Sequence, residues 1–143
     1  QEQEEELGLS GDGSESDKEA LRHYLLGEKL LAQNKLSEAV TVFANMRINQ
    51  PTSKITITAA VREIFSRLQL GQTIELKQTL QWLNESADGD KGLVLSGEIS
   101  EFIENDVDSA IVFYEQLLQN HPNSLMIEPV RKHIRELKSN LES

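Results

Sequence analysis

The chain has 143 residues, a formal net charge of −10 and no cysteine. This length supports a core that needs no disulfide or metal, and the absence of cysteine excludes disulfide scaffolds, thiolate catalysis and cysteine-based zinc sites. The shortage of Lys and Arg argues against binding to nucleic acid or to anionic membrane surfaces, and no apolar run approaches the ~20 residues of a membrane span.

The first segment is strongly acidic. Residues 1–19 hold eight carboxylates and a single lysine, and the only large apolar residues before position 18 are Leu7 and Leu9. So few apolar side chains cannot offset the entropy cost of ordering the segment. The sequence therefore predicts a flexible acidic tail over residues 1–17, acting either as a solvated leader or as an arm for a basic partner.

A helical hairpin is predicted next. Apolar side chains recur at steps of three and four, which predicts a helix near 17–33, capped by Ser16 or Asp17. We expect Asn34 to take the left-handed conformation that closes this helix. The second helix is predicted near 37–49 with Ser37 as its cap, and Pro51 ends it. The apolar stripe of the first helix is Leu21, Tyr24, Leu25 and Leu31.

A second hairpin is predicted over residues 53–86, from the stretches 53–70 and 71–86. The β-branched run at 55–58 alone favours a strand, but apolar residues continue at helical spacing after it, so a helix is expected. Gly71 lies at the predicted turn. The buried stripe predicted for the second helix of this hairpin is Leu76, Leu80 and Leu83.

The stretch SADGDKG, residues 86–92, predicts a loop. A third hairpin follows near 92–104 and 107–120, and Pro122 closes it. A final polar helix is predicted within 124–142; because Pro is acceptable only in a first turn, that helix can begin as late as Glu128. Seven helices and no strands are expected.

One set of residues recurs in the first and third hairpins. In each, a small residue is followed four positions later by an aromatic residue and twelve positions later by a proline. A glycine precedes the small residue by 12 positions in the first copy and by 13 in the second, which indicates one extra turn residue. The two copies are Gly27, Ala39, Phe43 and Pro51, and Gly97, Ala110, Tyr114 and Pro122.

At these positions the chain resembles the tetratricopeptide repeat family, whose unit of about 34 residues is a helix–turn–helix. The resemblance implies an all-α, right-handed array of three hairpins with a C-terminal capping helix. Only the first and third units carry the motif, and the early tryptophan of the family is absent. The implied domain is 18–142, with units of about 18–53, 54–90 and 91–123 and a capping helix at 124–142.

The family pattern implies a non-catalytic scaffold that binds a peptide or helix of another protein on a concave face. Capture of a chaperone C-terminal carboxylate is disfavoured, because Tyr24 and Glu28 stand where such domains carry Lys and Asn. The carboxylates of the matched set favour a basic or amphipathic ligand. The residues matched to the groove are Leu21, Tyr24, Glu28, Leu31, Lys91, Val94, Glu98 and Glu101. Each is also a plausible core or solvated surface residue.

Alternatives to this interpretation remain. Trp82 is either a core residue or a contact for self-association, and the final helix offers a second route to a homo-oligomer. Glu98 and Glu101, one turn apart, are the candidates of a less favoured helical enzyme.

No metal or cofactor is predicted. Asn84 and Asp88 begin a stretch like a calcium loop, but Leu95 stands where the bidentate glutamate should be. The sequence does not predict one cellular compartment: it fits the cytoplasm, or an envelope space if a signal or anchor precedes Gln1.

Overall fold

The computed structural model describes residues 14–142, and in this part of the chain every regular element is a helix and none is a strand, as predicted. Residues 1–13 of the predicted tail lie outside the described residues, whereas residues 15–17 already belong to the first helix. The helix that ends at Glu98 continues directly into a π-helical turn, Ile99–Ile103. The seven α-helices of the described part are α1 Glu15–Ala32, α2 Leu36–Asn49, α3 Lys54–Leu70, α4 Thr73–Asn84, α5 Gly89–Glu98, α6 Val107–Asn120 and α7 Ile127–Glu142.

The chain divides into two compact units. The first, unit 1, ends at Thr79, and the second, unit 2, begins at Leu80, so the boundary falls inside α4. In unit 1, α2 packs against both α1 and α3, and α1 also touches α3. In unit 2, α6 packs against both α5 and α7. Each unit is described by itself below.

The ends of the first hairpin follow local chemistry. The Ser14 hydroxyl accepts a hydrogen bond from the Asp17 backbone N–H and caps α1, so the predicted caps at residues 16 and 17 are wrong. Asn34 takes the left-handed conformation (φ 60°), as predicted. The predicted cap at Ser37 is wrong, because α2 begins at Leu36 and its flanking residue Lys35 provides no side-chain cap.

The β-branched run of α3 is helical, which confirms the predicted helix. Ile55 and Thr56 are buried, and the Thr56 hydroxyl donates to the Gln50 backbone carbonyl at 2.6 Å. Core packing and this bond outweigh the modest helix penalty of β-branched residues. Gly71 ends α3 with φ 73°, a conformation that favours glycine.

The predicted loop at 86–92 is wrong in its second half, because α5 begins at Gly89. Its glycines serve close packing instead. A Cβ at Gly92 would lie 2.9 Å from the backbone nitrogen of Asn84, so only glycine allows α5 to approach the end of α4. The last helix begins at Ile127, which places Pro129 in the first turn, where its missing N–H costs nothing.

An aromatic ring lies over a glycine in each repeated hairpin. A Cβ on Gly27 would lie 2.9 Å from Cδ1 of Phe43 and closer still to the end of that ring. A Cβ on Gly97 would likewise lie 2.7 Å from Cδ1 of Tyr114. Both aromatic residues are buried. The small residues predicted for close helix crossing are therefore found where the sequence indicated.

Unit 1 holds a buried carboxylate that the sequence analysis did not identify. Glu63 of α3 is 0% exposed. Arg47 of α2 donates two hydrogen bonds to its carboxylate at 2.8 and 2.9 Å, Arg67 donates one at 2.7 Å, and the Thr79 hydroxyl donates one at 2.8 Å. These charge-assisted bonds connect α2, α3 and α4.

We expect Glu63→Gln to lower the free energy of unfolding by about 3 to 5 kcal/mol, because it leaves two guanidinium groups without their buried counter-charge. Glu28→Gln is the matched control: it breaks the exposed pair with Arg62 and should cost less than about 1 kcal/mol. Urea unfolding of the two variants gives the comparison. Equal losses would show that the buried network contributes no more than a surface ion pair.

We expect Gly27→Ala to lower the free energy of unfolding by about 1 to 3 kcal/mol, because the added methyl collides with the Phe43 ring. Alanine otherwise stabilises a helix by about 1 kcal/mol relative to glycine. In a Phe43→Leu background, the same glycine replacement should therefore be neutral or stabilising. A loss of the same size in both backgrounds would refute the contact as the reason for glycine.

Candidate functional site

A surface depression of about 420 Å³ lies in unit 1 where the end of α1 meets α3. Its floor combines apolar and polar side chains, a mixture typical of sites that bind part of a peptide. Phe65 is 50% exposed there, although it is a large aromatic residue on an otherwise well-packed helix. The principal lining residues are Leu31, Leu36, Arg62, Phe65, Ser66 and Gln69.

An ion pair lies on the same two helices. Arg62 donates to the Glu28 carboxylate at 2.9 Å, and the two side chains are about half and one-third exposed. The Tyr24 hydroxyl beside the guanidinium, together with Glu28, raises the pKa of Arg62 against the opposing effect of burial. Arg62 is thus a fixed positive charge at the depression, and its charge is already partly neutralised.

The predicted groove residues of the first hairpin separate into two kinds. Leu21 and Tyr24 are each only 6% exposed, and the Tyr24 ring packs against Phe43 with ring centroids 6.1 Å apart. They contribute to the core and offer little surface to a ligand. Leu31 is partly buried and lines the depression, whereas Glu28 reaches it only through its pair with Arg62.

In unit 2 a polar cluster surrounds Glu101, on the π-helical turn. The side chain of Glu101 is 10% exposed, and one of its oxygens accepts a hydrogen bond from the Tyr114 hydroxyl at 3.0 Å. The same oxygen lies 2.8 Å from Nε2 of His133 on α7. The His133 ring meets the Tyr114 ring edge-on with centroids 5.5 Å apart. This cluster joins the turn, α6 and α7.

The chemistry of the cluster favours a structural role. Burial, the hydrogen bond to Glu101 and the nearby charge of Glu98 raise the pKa of Tyr114 well above its ordinary range. The phenol therefore stays protonated and donates to the carboxylate. Since Glu101 already accepts from Tyr114 and contacts His133, its role here is to hold α7 against α6 and the turn.

The other predicted groove residues of the third hairpin differ in their exposure. Lys91 is exposed, with its amine 4.0 Å from the Asp88 carboxylate. Val94 packs against the core of unit 2, and Glu98 is exposed. Trp82, the candidate secondary contact, is partly exposed on α4.

Three residues of these sites were not predicted from the sequence. Phe65 and His133 were not among the predicted site residues, and Tyr114 was considered only as a member of the repeated set. The one available signal was the repeat itself: the hydroxyl of Tyr114, absent from Phe43 at the equivalent position, requires a polar partner when it is buried.

Within residues 14–142, no group of three or more His, Asp or Glu side chains is arranged to hold a metal ion. In the same part of the chain, no helix combines the length and the apolar character needed to span a membrane.

Comparison with protein-family models, with curated proteins and with solved structures gave no match to this chain. The tetratricopeptide-like resemblance therefore rests on the residues and their spacing alone.

The raised pKa of Tyr114 gives a pH-dependent prediction. An unfolded tyrosine ionises near pH 10, whereas folded Tyr114 keeps its proton above that value. Protonated Tyr114 thus contributes its full share to the free energy of unfolding below pH 10. This contribution is lost as the pH rises further, at up to about 1.4 kcal/mol per pH unit. Urea unfolding between pH 8 and 11 should show a shallower alkaline decline for Tyr114→Phe than for the wild type. Identical declines would contradict this prediction.

Proposed function

We propose that the chain is a non-catalytic protein-interaction module, built of tetratricopeptide-like hairpins in a right-handed array, that binds a peptide or helix of a partner protein. The observation that carries this proposal is Phe65, half exposed in the depression between α1 and α3. In the proposed arrangement these are the first helices of two successive units, which line the concave face of such arrays.

The packing order of unit 1 supports the proposed hairpin arrangement. In a stack of helical hairpins, the second helix of one unit lies against the first helix of the next, and first helices also contact each other. Here α2 packs against α1 and α3, and α1 touches α3. The depression is bounded by helices that the Glu63 network and the Phe43 ring hold in place, so a ligand would meet a largely preformed surface.

The side chains at the depression favour an amphipathic ligand. An apolar side chain would cover Phe65 and Leu31, and polar groups would reach Gln69 and the exposed side of Arg62. A purely basic ligand is less supported at this place, because Glu28 already pairs with Arg62. The groove is thus proposed around Phe65, Leu31 and Arg62, with Tyr24 beneath it in the core.

The two alternatives find less support. Three residues of the apolar stripe of α7, Val130, Ile134 and Leu137, are buried in unit 2, which leaves only the exposed Leu141 of this stripe for self-association. Glu101, a candidate of the enzyme hypothesis, is committed to Tyr114 and His133. Among the paired groups of this cluster there is no serine or threonine hydroxyl that His133 would activate.

The proposal predicts that Phe65→Ser weakens peptide binding without unfolding the chain. Peptides would be selected on the full chain from a random display library, synthesised, and measured by fluorescence anisotropy. We expect Phe65→Ser to weaken their binding by at least about tenfold, as for an aromatic hot spot. Ile48→Ser removes another exposed apolar residue of unit 1, outside the depression, and should have little effect. Peptides that bind Phe65→Ser as tightly as the wild type would place recognition elsewhere.

A further inference from the structure

Unit 2 exposes two neighbouring bulky apolar side chains at the end of the π-helical turn. Phe102 is 63% exposed and Ile103 is 60% exposed. At the corresponding end of α1 the chain carries Ala32 and Gln33, neither of which is a large apolar residue. The exposed pair is therefore specific to the third hairpin and is not a requirement of the hairpin fold.

The backbone that presents this pair is firmly held. The Glu104 N–H donates to the Ile99 carbonyl at 3.0 Å, and the Asp106 N–H donates to the Ser100 carbonyl at 2.7 Å. Asn105 then takes the left-handed conformation (φ 55°), and Asp106 caps α6 through the Ser109 N–H. π-Helical turns occur frequently at functional sites. A ligand would therefore meet a backbone that is already ordered, and only the side chains of Phe102 and Ile103 would have to be ordered on binding.

The charge around the pair has one sign. Residues 92–130 contain seven carboxylates and no Lys or Arg. Glu98 precedes the pair by one turn, Glu104 follows it directly, and Asp108 is exposed in the first turn of α6. The four Lys and Arg side chains of α7 come later in the sequence, and two of them, Arg131 and Lys138, are paired with Glu128 and Glu115.

We infer that Phe102 and Ile103, with the surrounding carboxylates, form a docking site for a basic amphipathic helix of a partner protein. Apolar side chains of that helix cover the exposed pair, and its Lys or Arg side chains face the carboxylates. An anionic membrane is excluded as the occupant by charge repulsion. The inference rests on the proposed role as an interaction module, but it uses a different surface from the depression of unit 1.

The test uses the full chain and a labelled helical peptide of about 18 residues, made of Leu and Lys with the leucines on one face. Its binding is measured by fluorescence anisotropy at about 150 mM salt, where weak surface electrostatics are screened. We expect Phe102→Ser/Ile103→Ser to weaken binding by at least about tenfold. Because both side chains are exposed, circular dichroism should show an unchanged fold and melting temperature.

Two controls separate this site from general attraction to an acidic protein. Ile74→Ser removes an equally exposed apolar side chain of unit 1 and should leave binding within about twofold of the wild type. A scrambled peptide of the same composition lacks the apolar face and should bind at least about tenfold more weakly than the amphipathic one. Glu98→Gln/Asp108→Asn should weaken binding more at low salt than at high salt.

Equal affinity of the wild type and the double serine variant would overturn the inference, and so would equal binding of the two peptides. The Phe65→Ser experiment distinguishes the two proposals. If Phe65→Ser loses its selected peptides while the Phe102 and Ile103 changes have no effect on the Leu–Lys peptide, the interaction module stands and the second docking site fails. If binding to the selected peptides and to the Leu–Lys peptide is unaffected by either change, both proposals fail.

Discussion

The crossing of two helices over a glycine is the constraint on which each repeated hairpin depends. Gly27 and Gly97 lie directly beneath the rings of Phe43 and Tyr114, so the helices approach to a distance that no Cβ allows. The four-residue spacing between the small residue and the aromatic residue puts both on the buried face of the second helix. Ala39 and Ala110 complete the close contact, and both are fully buried.

The same constraint determines where the third hairpin accommodates its additional residue. Since the glycine, the aromatic residue and the left-handed asparagine must keep their places, the insertion has to be absorbed between Gly97 and Asn105. In the first hairpin, the Lys35 N–H reaches back five residues to the Leu30 carbonyl. In the third, the Asp106 N–H reaches back six residues to Ser100. The residue predicted in the turn is thus taken up by a widened last turn of the helix.

The widened turn affects both the packing inside unit 2 and the side chains exposed at its surface. It brings Glu101 to Tyr114 and His133, and it leaves Phe102 and Ile103 exposed. The hydroxyl that distinguishes Tyr114 from Phe43 requires a partner inside the unit, and Glu101 provides it. One inserted residue therefore accounts for both the polar cluster that holds α7 and the apolar pair beside it.

Periodicity was sufficient to predict the all-α class and the order of the seven helices, because apolar stripes at steps of three and four report directly on buried helix faces. The prediction was wrong at the start of α5, because glycine is used both in loops and where helices pack closely. In SADGDKG the glycines suggested a loop, but Gly89 and Gly92 lie in α5 and allow close contact with the end of α4. Caps were also misplaced, because several Ser and Asp residues compete near each helix start and only the three-dimensional geometry selects one.

Candidate site residues were harder to predict. Helical spacing indicates on which face of a helix a residue lies, but not how deeply its side chain is buried. Tyr24 and Glu28 lie one turn apart on α1, yet Tyr24 is buried against Phe43 and Glu28 is paired at the surface. The partners that decide this, Phe43 and Arg62, come from other helices. For the same reason, the pairing of Glu101 with His133, 32 positions later, had no sequence signal.

The buried charge of Glu63 gives α3 a fixed position from which to present a surface. A carboxylate with no exposure is tolerated only while Arg47, Arg67 and Thr79 all donate to it, so the rotation of α3 about its own axis is tightly limited. Arg62 precedes Glu63 by one position, Phe65 follows it by two, and both line the depression. If α3 carries the proposed binding surface, fixing its buried face in this way lowers the entropy cost of ordering the backbone on binding. The polar network in the core and the exposed phenylalanine thus lie on two faces of one helix, and the network holds the backbone that carries Phe65.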